Sequence, residues 1–198
     1  MISAVILAAG DSVRMGEPKA LLQLNGQSFI EIIITRLKDA GFEEIMVVAG
    51  IHYKNITQHL ATERDIRLLN NTNPEQGQLS SLQLAIPELN TVTTGMLMVL
   101  VDHPLVTQAS YRKFYESAHS HSSNIIVPVY NDKKGHPVYF SRLFFEPLLK
   151  APLSEGARYV VRGNPDAVHL LHLEDPGILK DIDTPEEYER YIKNTVRS

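Results

Sequence analysis

Apolar residues come in short unbroken runs along this chain, and between the runs they recur at every third or fourth position. Residues 3–8 (SAVILA), 44–49 (EIMVVA), 96–101 (MLMVLV) and 125–129 (IIVPV) are such runs. A strand with one face in water alternates polar and apolar side chains. Near-continuous apolar runs therefore predict strands covered on both faces, as in a parallel sheet between helix layers. Residues 65–70 (DIRLLN) predict a weaker, shorter strand. Residues 28–41 (SFIEIIITRLKDAG) set Phe29, Ile30, Ile33, Ile34 and Leu37 on one helical face, with Gly41 as a stop. Residues 80–89 and 107–118 predict further helices. A last helix opens within residues 183–194 (DTPEEYERYIKN), where Thr184 suits the N-cap, Pro185 the first helical position, and Glu187 a capping box.

Strands alternating with helices predict an α/β fold: a doubly wound, mostly parallel sheet in three α/β/α layers. The pattern loosens after Val129. Residues 135–141 (GHPVYFS) follow a tight "NDKKG" turn, which predicts a hairpin and one antiparallel strand. Helical stretches at 142–152 and 154–164 come next, then a run at 167–173. With no repeat, low-complexity tract or linker, residues 1–198 are expected to form a single domain. In such sheets ligands sit beyond the carboxyl ends of the strands. The segments to inspect are therefore 9–19, 50–54, 71–81, 102–106 and 130–136.

Composition narrows the chemistry. A chain of 198 residues can bury roughly 70% of the surface its unfolded form exposes. It has no cysteine, which excludes a disulfide scaffold or thiolate metal site and fits a reducing compartment. The formal charge of -4 disfavours a broad basic surface for nucleic acid, although a local cationic pocket is still allowed. No apolar stretch approaches the roughly 20 residues of a membrane span. The first apolar run lacks a preceding basic region and reads as a strand rather than an export signal. A cytoplasmic protein that binds neither nucleic acid nor membrane is expected.

The first strand runs into "LAAGDSVRMGEPKALL", a loop with two cations, Arg14 and Lys19, and few carboxylates. Backbone N–H groups at a strand-to-helix turn attract anions. Gly10 permits a left-handed backbone or close ligand approach, and Ser12 adds a hydroxyl. An ordinary solvated connection is the competing reading of the same residues. The segment resembles, almost position for position, the L-A-A/G-G-x-S-x-R-M-G-x-P/D-K signature of the MobA-like nucleotidyltransferases. Its "LAAG" and "PK" look closest to the branch that transfers cytidylyl groups to the molybdenum cofactor, whereas the guanylyl branch usually has "LAGG" and "DK". The resemblance implies a nucleotidyltransferase fold with a nucleotide-binding N-terminal half and an acceptor-binding C-terminal half. It implies that the backbone of Leu7, Ala8, Ala9 and Gly10 meets base and ribose, while Ser12, Arg14 and Lys19 hold phosphates.

The resemblance continues in five other segments. In "VDHPLV" Asp102 matches a metal-binding aspartate, although Asp before such a turn can also cap it; His103 stands aside at a permissive position. In "DIDTPEEYERY" Asp183 matches a second metal carboxylate, but the same residues make a good helix start. "NPEQGQLSSL" resembles a G-x-x-S-S-L element, so Asn73, Gly77, Ser80 and Ser81 are expected at the nucleotide, with a plain serine N-cap as the other reading. Gly135 and His136 of "GHPV" and Arg158 of "EGARYVVR" are expected at the acceptor, with a structural histidine and a structural ion pair as alternatives. The upstream lysine pair either helps an anionic acceptor or is a solvated turn.

The implied activity is Mg²⁺-dependent transfer of CMP from CTP to the molybdenum–molybdopterin cofactor, releasing pyrophosphate, with Arg14, Lys19 and Asp102 catalytic and Asp102 and Asp183 on the metal. CTP and a molybdopterin-type cofactor are the expected substrates, and a molybdenum hydroxylase is a conceivable client. A guanylyltransferase, a sugar- or polyol-phosphate nucleotidyltransferase, or a non-catalytic cofactor-binding accessory protein would share the fold.

Overall fold

The computed structural model of the chain describes residues 1–11, 15–63, 65–122 and 124–195. Among the described residues the strands are β1 (Ile2–Ala8), β2 (Gln23–Leu24), β3 (Gln27–Ser28), β4 (Glu44–Ala49), β5 (Ile66–Asn70), β6 (Gly95–Leu100), β7 (Ile125–Tyr130), β8 (Lys133–Lys134), β9 (Val138–Ser141) and β10 (Val168–His172). The helices are α1 (Phe29–Ala40), α2 (Tyr53–His59), α3 (Gln78–Ala85), α4 (Gln108–Ser120), α5 (Phe145–Lys150), α6 (Arg158–Gly163) and α7 (Pro185–Thr195). The main sheet runs β10-β7-β9-β6-β1-β4-β5, with β8 paired to β7. The pairs β1–β4, β1–β6, β4–β5 and β7–β10 are parallel, while β9 lies antiparallel between β6 and β7.

The expected covering of both faces is present. Every residue of β1 and of β6 is buried. Side chains alternate between faces: Ala4, Ile6 and Ala8 of β1 join the core made by α1, α2 and α4, whereas Val5 and Leu7 join the one made by α3, α5 and α6. Each fully buried aliphatic side chain contributes about 1.5–3 kcal/mol, so α1, with Ile30, Ile33, Ile34 and Leu37 inward, is a principal anchor. Ser28 caps α1 through a reciprocal box with Glu31, and Gly41 ends it in the left-handed conformation.

Three features depart from the sequence expectations. The helix expected over 80–89 begins at Gln78, ends at Ala85 and continues as a 3₁₀ turn over Ile86–Glu88, which carries Pro87. Helix α2 lies in a stretch left without an element. Residues Asn25 and Gly26, both at positive φ, close a small β2–β3 hairpin that was not foreseen.

The expected hairpin after Val129 turns at Asn131 and Asp132, both at positive φ as a two-residue turn of this hand requires. Its return strand is split into β8 and β9. Pairs Val129↔Lys134 and Ile126↔Tyr139 enclose residues 127–128 on one side and 135–138 on the other. The two extra residues bulge Gly135 and His136 out of the ladder toward the carboxyl ends of β1 and β6. Between β1 and β6 the order of strands reverses, and the crevice of the fold opens there.

Candidate active site

A cleft of about 260 Å³ occupies this crevice, lined by Leu7–Asp11 of the loop after β1, Lys19, the start of α3, and the acidic side chains Asp102 and Asp183. A second, more open cleft of about 410 Å³ adjoins it, with Lys134, Gly135 and His136 on one wall and Ile178, Leu179 and Asp181 on the other. Gln78, Leu100, Asp102 and Asp183 line both. The two carboxylates therefore stand at the junction of the clefts.

Each carboxylate faces the clefts, and other residues do the local capping. Asp102 follows β6, but α4 is capped by Thr107, whose hydroxyl accepts from the Ser110 N–H. At α7 the capping box joins Thr184 and Glu187. The Glu187 carboxylate accepts from the backbone N–H of Asp183 and Thr184, and the Glu187 N–H donates to the Thr184 hydroxyl at 3.2 Å. The helix-start alternative is thus satisfied without the Asp183 side chain, which instead pairs with the Lys19 ammonium.

Lys19 Nζ also stands 4.0 Å from Asp102 Oδ2, and its side chain is only 16% exposed. Burial pushes the Asp102 carboxyl up, but a hydrogen bond from His103 and the charges of His103, Lys19 and His136 outweigh it and hold the group below its usual range. The bond joins His103 Nδ1 to Asp102 Oδ1 at 2.9 Å, and the His103 ring meets His136 edge-on at 5.2 Å between centroids. Burial lowers the His136 imidazole, with the His103 charge adding to it and Asp102 opposing, to about 4, so His136 is neutral near pH 7.

The residues singled out from sequence divide as follows. Leu7, Ala8, Ala9, Gly10, Lys19, Gly77, Ser81, Asp102 and Asp183 line the first cleft, and Gly135 and His136 the second. Ser12 and Arg14 lie outside the described residues. Gly10 stays out of the left-handed region, and a Cβ there would meet nothing within 4 Å, so its value would be space above the loop. Asn73 and Ser80 flank the first cleft without lining it. Asn71 gathers them: its side-chain oxygen accepts from the Asn73 N–H at 2.9 Å, and its amide donates to the hydroxyls of Ser80 and Ser81 at 2.8 and 3.0 Å. Arg158 lines neither cleft; its Nε donates to the Glu155 carbonyl at 3.0 Å, a local contact of its own helix start. His103, read as a bystander, is bonded to Asp102 and lines the second cleft. His52 and Gln78, in two of the segments marked for inspection but not singled out there, also line the first cleft.

Two carboxylates from different loops already share one cation, the Lys19 ammonium, so the pair can hold positive charge between them. Among the described residues no three His, Asp or Glu side chains converge as a complete metal cage. A hard divalent ion that takes one or two carboxylates and completes its shell with phosphate oxygens and water fits this donor set.

A sheet of this order with two clefts joined at paired carboxylates defines a class, and comparison with known proteins supplies its name: the chain belongs to the MobA-like NTP transferase family, whose domain matches residues 4–169. It is 27% identical over 199 residues to the molybdenum cofactor cytidylyltransferase of Escherichia coli K12, covering 97% of this chain and 98% of that one. It is equally 27% identical to the nicotine blue oxidoreductase of Paenarthrobacter nicotinovorans, with 96% of both chains covered. The crystal structure of Rv0371c from Mycobacterium tuberculosis superposes with a TM-score of 0.85 at 27% identity over 97% of both chains. A structure of the same mycobacterial protein in complex with manganese gives a TM-score of 0.80, covering 97% of this chain and 98% of that one at 26% identity. Among the described residues no helix is long and apolar enough to cross a membrane.

Proposed function

We propose that the protein transfers CMP from CTP to the terminal phosphate of a molybdopterin-type cofactor, releasing pyrophosphate. The observation that carries this reading is the pair of clefts that meet at Asp102 and Asp183. A donor in one cleft and an acceptor in the other would react at their junction. The "LAAG" and "PK" spelling and the E. coli cytidylyltransferase support cytosine as the base. A relative of equal identity bears an unrelated name, so identity alone does not choose the acceptor. In this reading residues 1–198 are one domain, working in the cytoplasm, where a chain without cysteine loses nothing to reduction.

The chemistry asks little covalent work of the protein. An acceptor phosphate oxygen attacks the α-phosphorus, one P–O bond forms, and the bond to the β-phosphate breaks with its electron pair leaving on pyrophosphate. The acceptor is already ionised at neutral pH, so no general base is needed. Catalysis rests on alignment and on charge placed where it develops. The backbone of residues 7–10 and the start of α3, with Gly77, Ser80 and Ser81, hold the nucleotide, Asn73 stands near its ribose or base, and Asn71 positions that helix start. Arg14 and Lys19 neutralise the phosphates, and the Ser12 hydroxyl donates to them. Gly135 and neutral His136 shape the acceptor wall, with Lys134 offering positive charge to an anionic acceptor; Arg158 keeps only a peripheral place. Asp102 and Asp183 would hold Mg²⁺, which supplies Lewis-acid polarisation of the phosphoryl group when bound.

Pyrophosphate release measured with each of four nucleoside triphosphates, with and without molybdopterin, tests this. Release with CTP and dependent on the acceptor is expected. Preference for GTP would move the protein to the guanylyl branch, and release with none would leave a binding protein.

A further inference from the structure

We infer that Asp175 is a positioning residue that sets the separation of Asp102 and Asp183 by tying together the two loops that carry them. This rests on the proposed metal role of those carboxylates. Asp175 is only 5% exposed. Its Oδ2 accepts from the Thr107 N–H at 2.8 Å and from the hydroxyls of Thr107 and Ser110 at 2.9 and 2.6 Å, while Oδ1 accepts from the Gly177 N–H at 2.8 Å. One carboxylate thus spans the end of the Asp102 loop and the start of the segment that leads to Asp183. Every one of these partners donates, so an amide in its place would turn an N–H toward at least one other donor.

The rest of that segment is pinned in the same direction. A Cβ on Gly177 would lie 2.4 Å from the Leu105 carbonyl, and one on Gly135 would lie 2.3 Å from the Ile178 carbonyl. Only glycine admits such approaches, so residues 177 and 178 are held between the Asp102 loop and the bulge of the acceptor wall. The Ile178 carbonyl accepts from the His136 N–H at 2.9 Å, and the Ile182 N–H donates to the Asp102 carbonyl at 2.9 Å. Arg36 donates to the carbonyls of Pro104 and Val106 in the Asp102 loop at 2.6 and 2.8 Å. Arg36 thus takes the loop's acceptors and Asp175 its donors. Capping α4 does not by itself require Asp175, because Thr107 already caps that helix.

Mn²⁺ titration of the intact chain, read by the electron paramagnetic resonance signal of free ion with and without CTP, tests the inference. Asp175→Asn is expected to weaken Mn²⁺ binding by about threefold to tenfold, at or below what loss of a group bonded directly to a ligand costs, because Asp175 holds the loops and not the carboxylates. Ser110→Ala should weaken it in the same direction, and it decides the matter if Asp175→Asn does not fold. Leu89→Ala, in the core beside the amino ends of the strands, should lower the melting temperature and leave Mn²⁺ affinity unchanged. Wild-type uptake of Mn²⁺ with folded Asp175→Asn, or failing that Ser110→Ala, within about twofold of it overturns the positioning role alone. Wild-type protein that takes up no Mn²⁺ under either condition overturns the functional reading, and the inference with it.

Discussion

Replacing Lys19 with methionine keeps most of the apolar stem and removes the ammonium, its charge and its donors together. In the structure that charge is shared between Asp183, in direct contact, and Asp102 Oδ2, 4.0 Å away. Two unit charges at 4 Å interact by about 1 kcal/mol in bulk water and about 4 kcal/mol at the effective dielectric of a protein surface. The Lys19 side chain is 16% exposed, which favours the upper part of that range. A departing phosphate that takes the place of a carboxylate beside the ammonium would lose the same amount. Lys19→Met is therefore expected to lower kcat for pyrophosphate release by about 10²–10³, the cost of removing one preorganised donor. The assay follows pyrophosphate at saturating CTP and acceptor, with circular dichroism to show an intact fold. A folded Lys19→Met whose kcat stays within about threefold of wild type would refute the assignment of catalytic charge to this lysine.

Two further outcomes follow from other parts of the structure. His136 is lowered to about 4 from an ordinary value near 6.5, so the unfolded chain binds its proton first as pH falls. Stability is thus greatest above pH 6.5 and falls through the window down to about 4 by up to roughly 3 kcal/mol. Urea midpoints at pH 7 and 4.5 should show His136→Gln losing less than wild type; an equal loss would sink this assignment. His169, lowered by burial and by His121 and His172, contributes to the same window and is unchanged by that substitution. Ser28 lines neither cleft, and Ser28→Ala removes the N-cap of α1, so it should cost about 1 kcal/mol in urea unfolding while CTP affinity holds. No measurable loss would mean that the capping box with Glu31 contributes nothing.

What could be read in the sequence was whatever is decided locally. The strands β1, β4, β6 and β7 are uninterrupted apolar runs, and α1 carries both its cap and its stop within its own residues. Helix α2 was missed because "YKNITQH" buries only Ile56 and starts after His52 with no side-chain cap, so it has neither stripe nor start signal. The Asn25-Gly26 turn was a legible signal, but strands of two residues carry no alternation to confirm it. The placement of β9 between β6 and β7 is a long-range pairing that no short pattern encodes. The candidate site divides along the same line. The loop of residues 7–19 is one contiguous signature, so Leu7, Ala8, Ala9, Gly10 and Lys19 of the first cleft were named in advance, while Asp11 and Pro18, which also line it, were not. His103 was dismissed because its motif position is permissive, and a hydrogen bond to the adjacent Asp102 depends on side-chain rotamers that no spacing rule reports; the contact with His136, 5.2 Å away, is long-range. Arg158 was included because its segment resembles the family, yet α6 turns it to the Glu155 carbonyl rather than to a cleft.

The account turns on a nucleoside triphosphate seated between the loop after β1 and the start of α3, with its reacting end at Asp102 and Asp183. Isothermal titration calorimetry with CTP and Mg²⁺ measures this most directly, on the wild-type chain and on Asp102→Asn. Wild-type protein should bind CTP with a heat that grows when Mg²⁺ is present, and Asp102→Asn should lose the Mg²⁺-dependent part while keeping its fold. Well-folded wild-type protein that takes up no CTP, with or without Mg²⁺, would contradict the account at its centre.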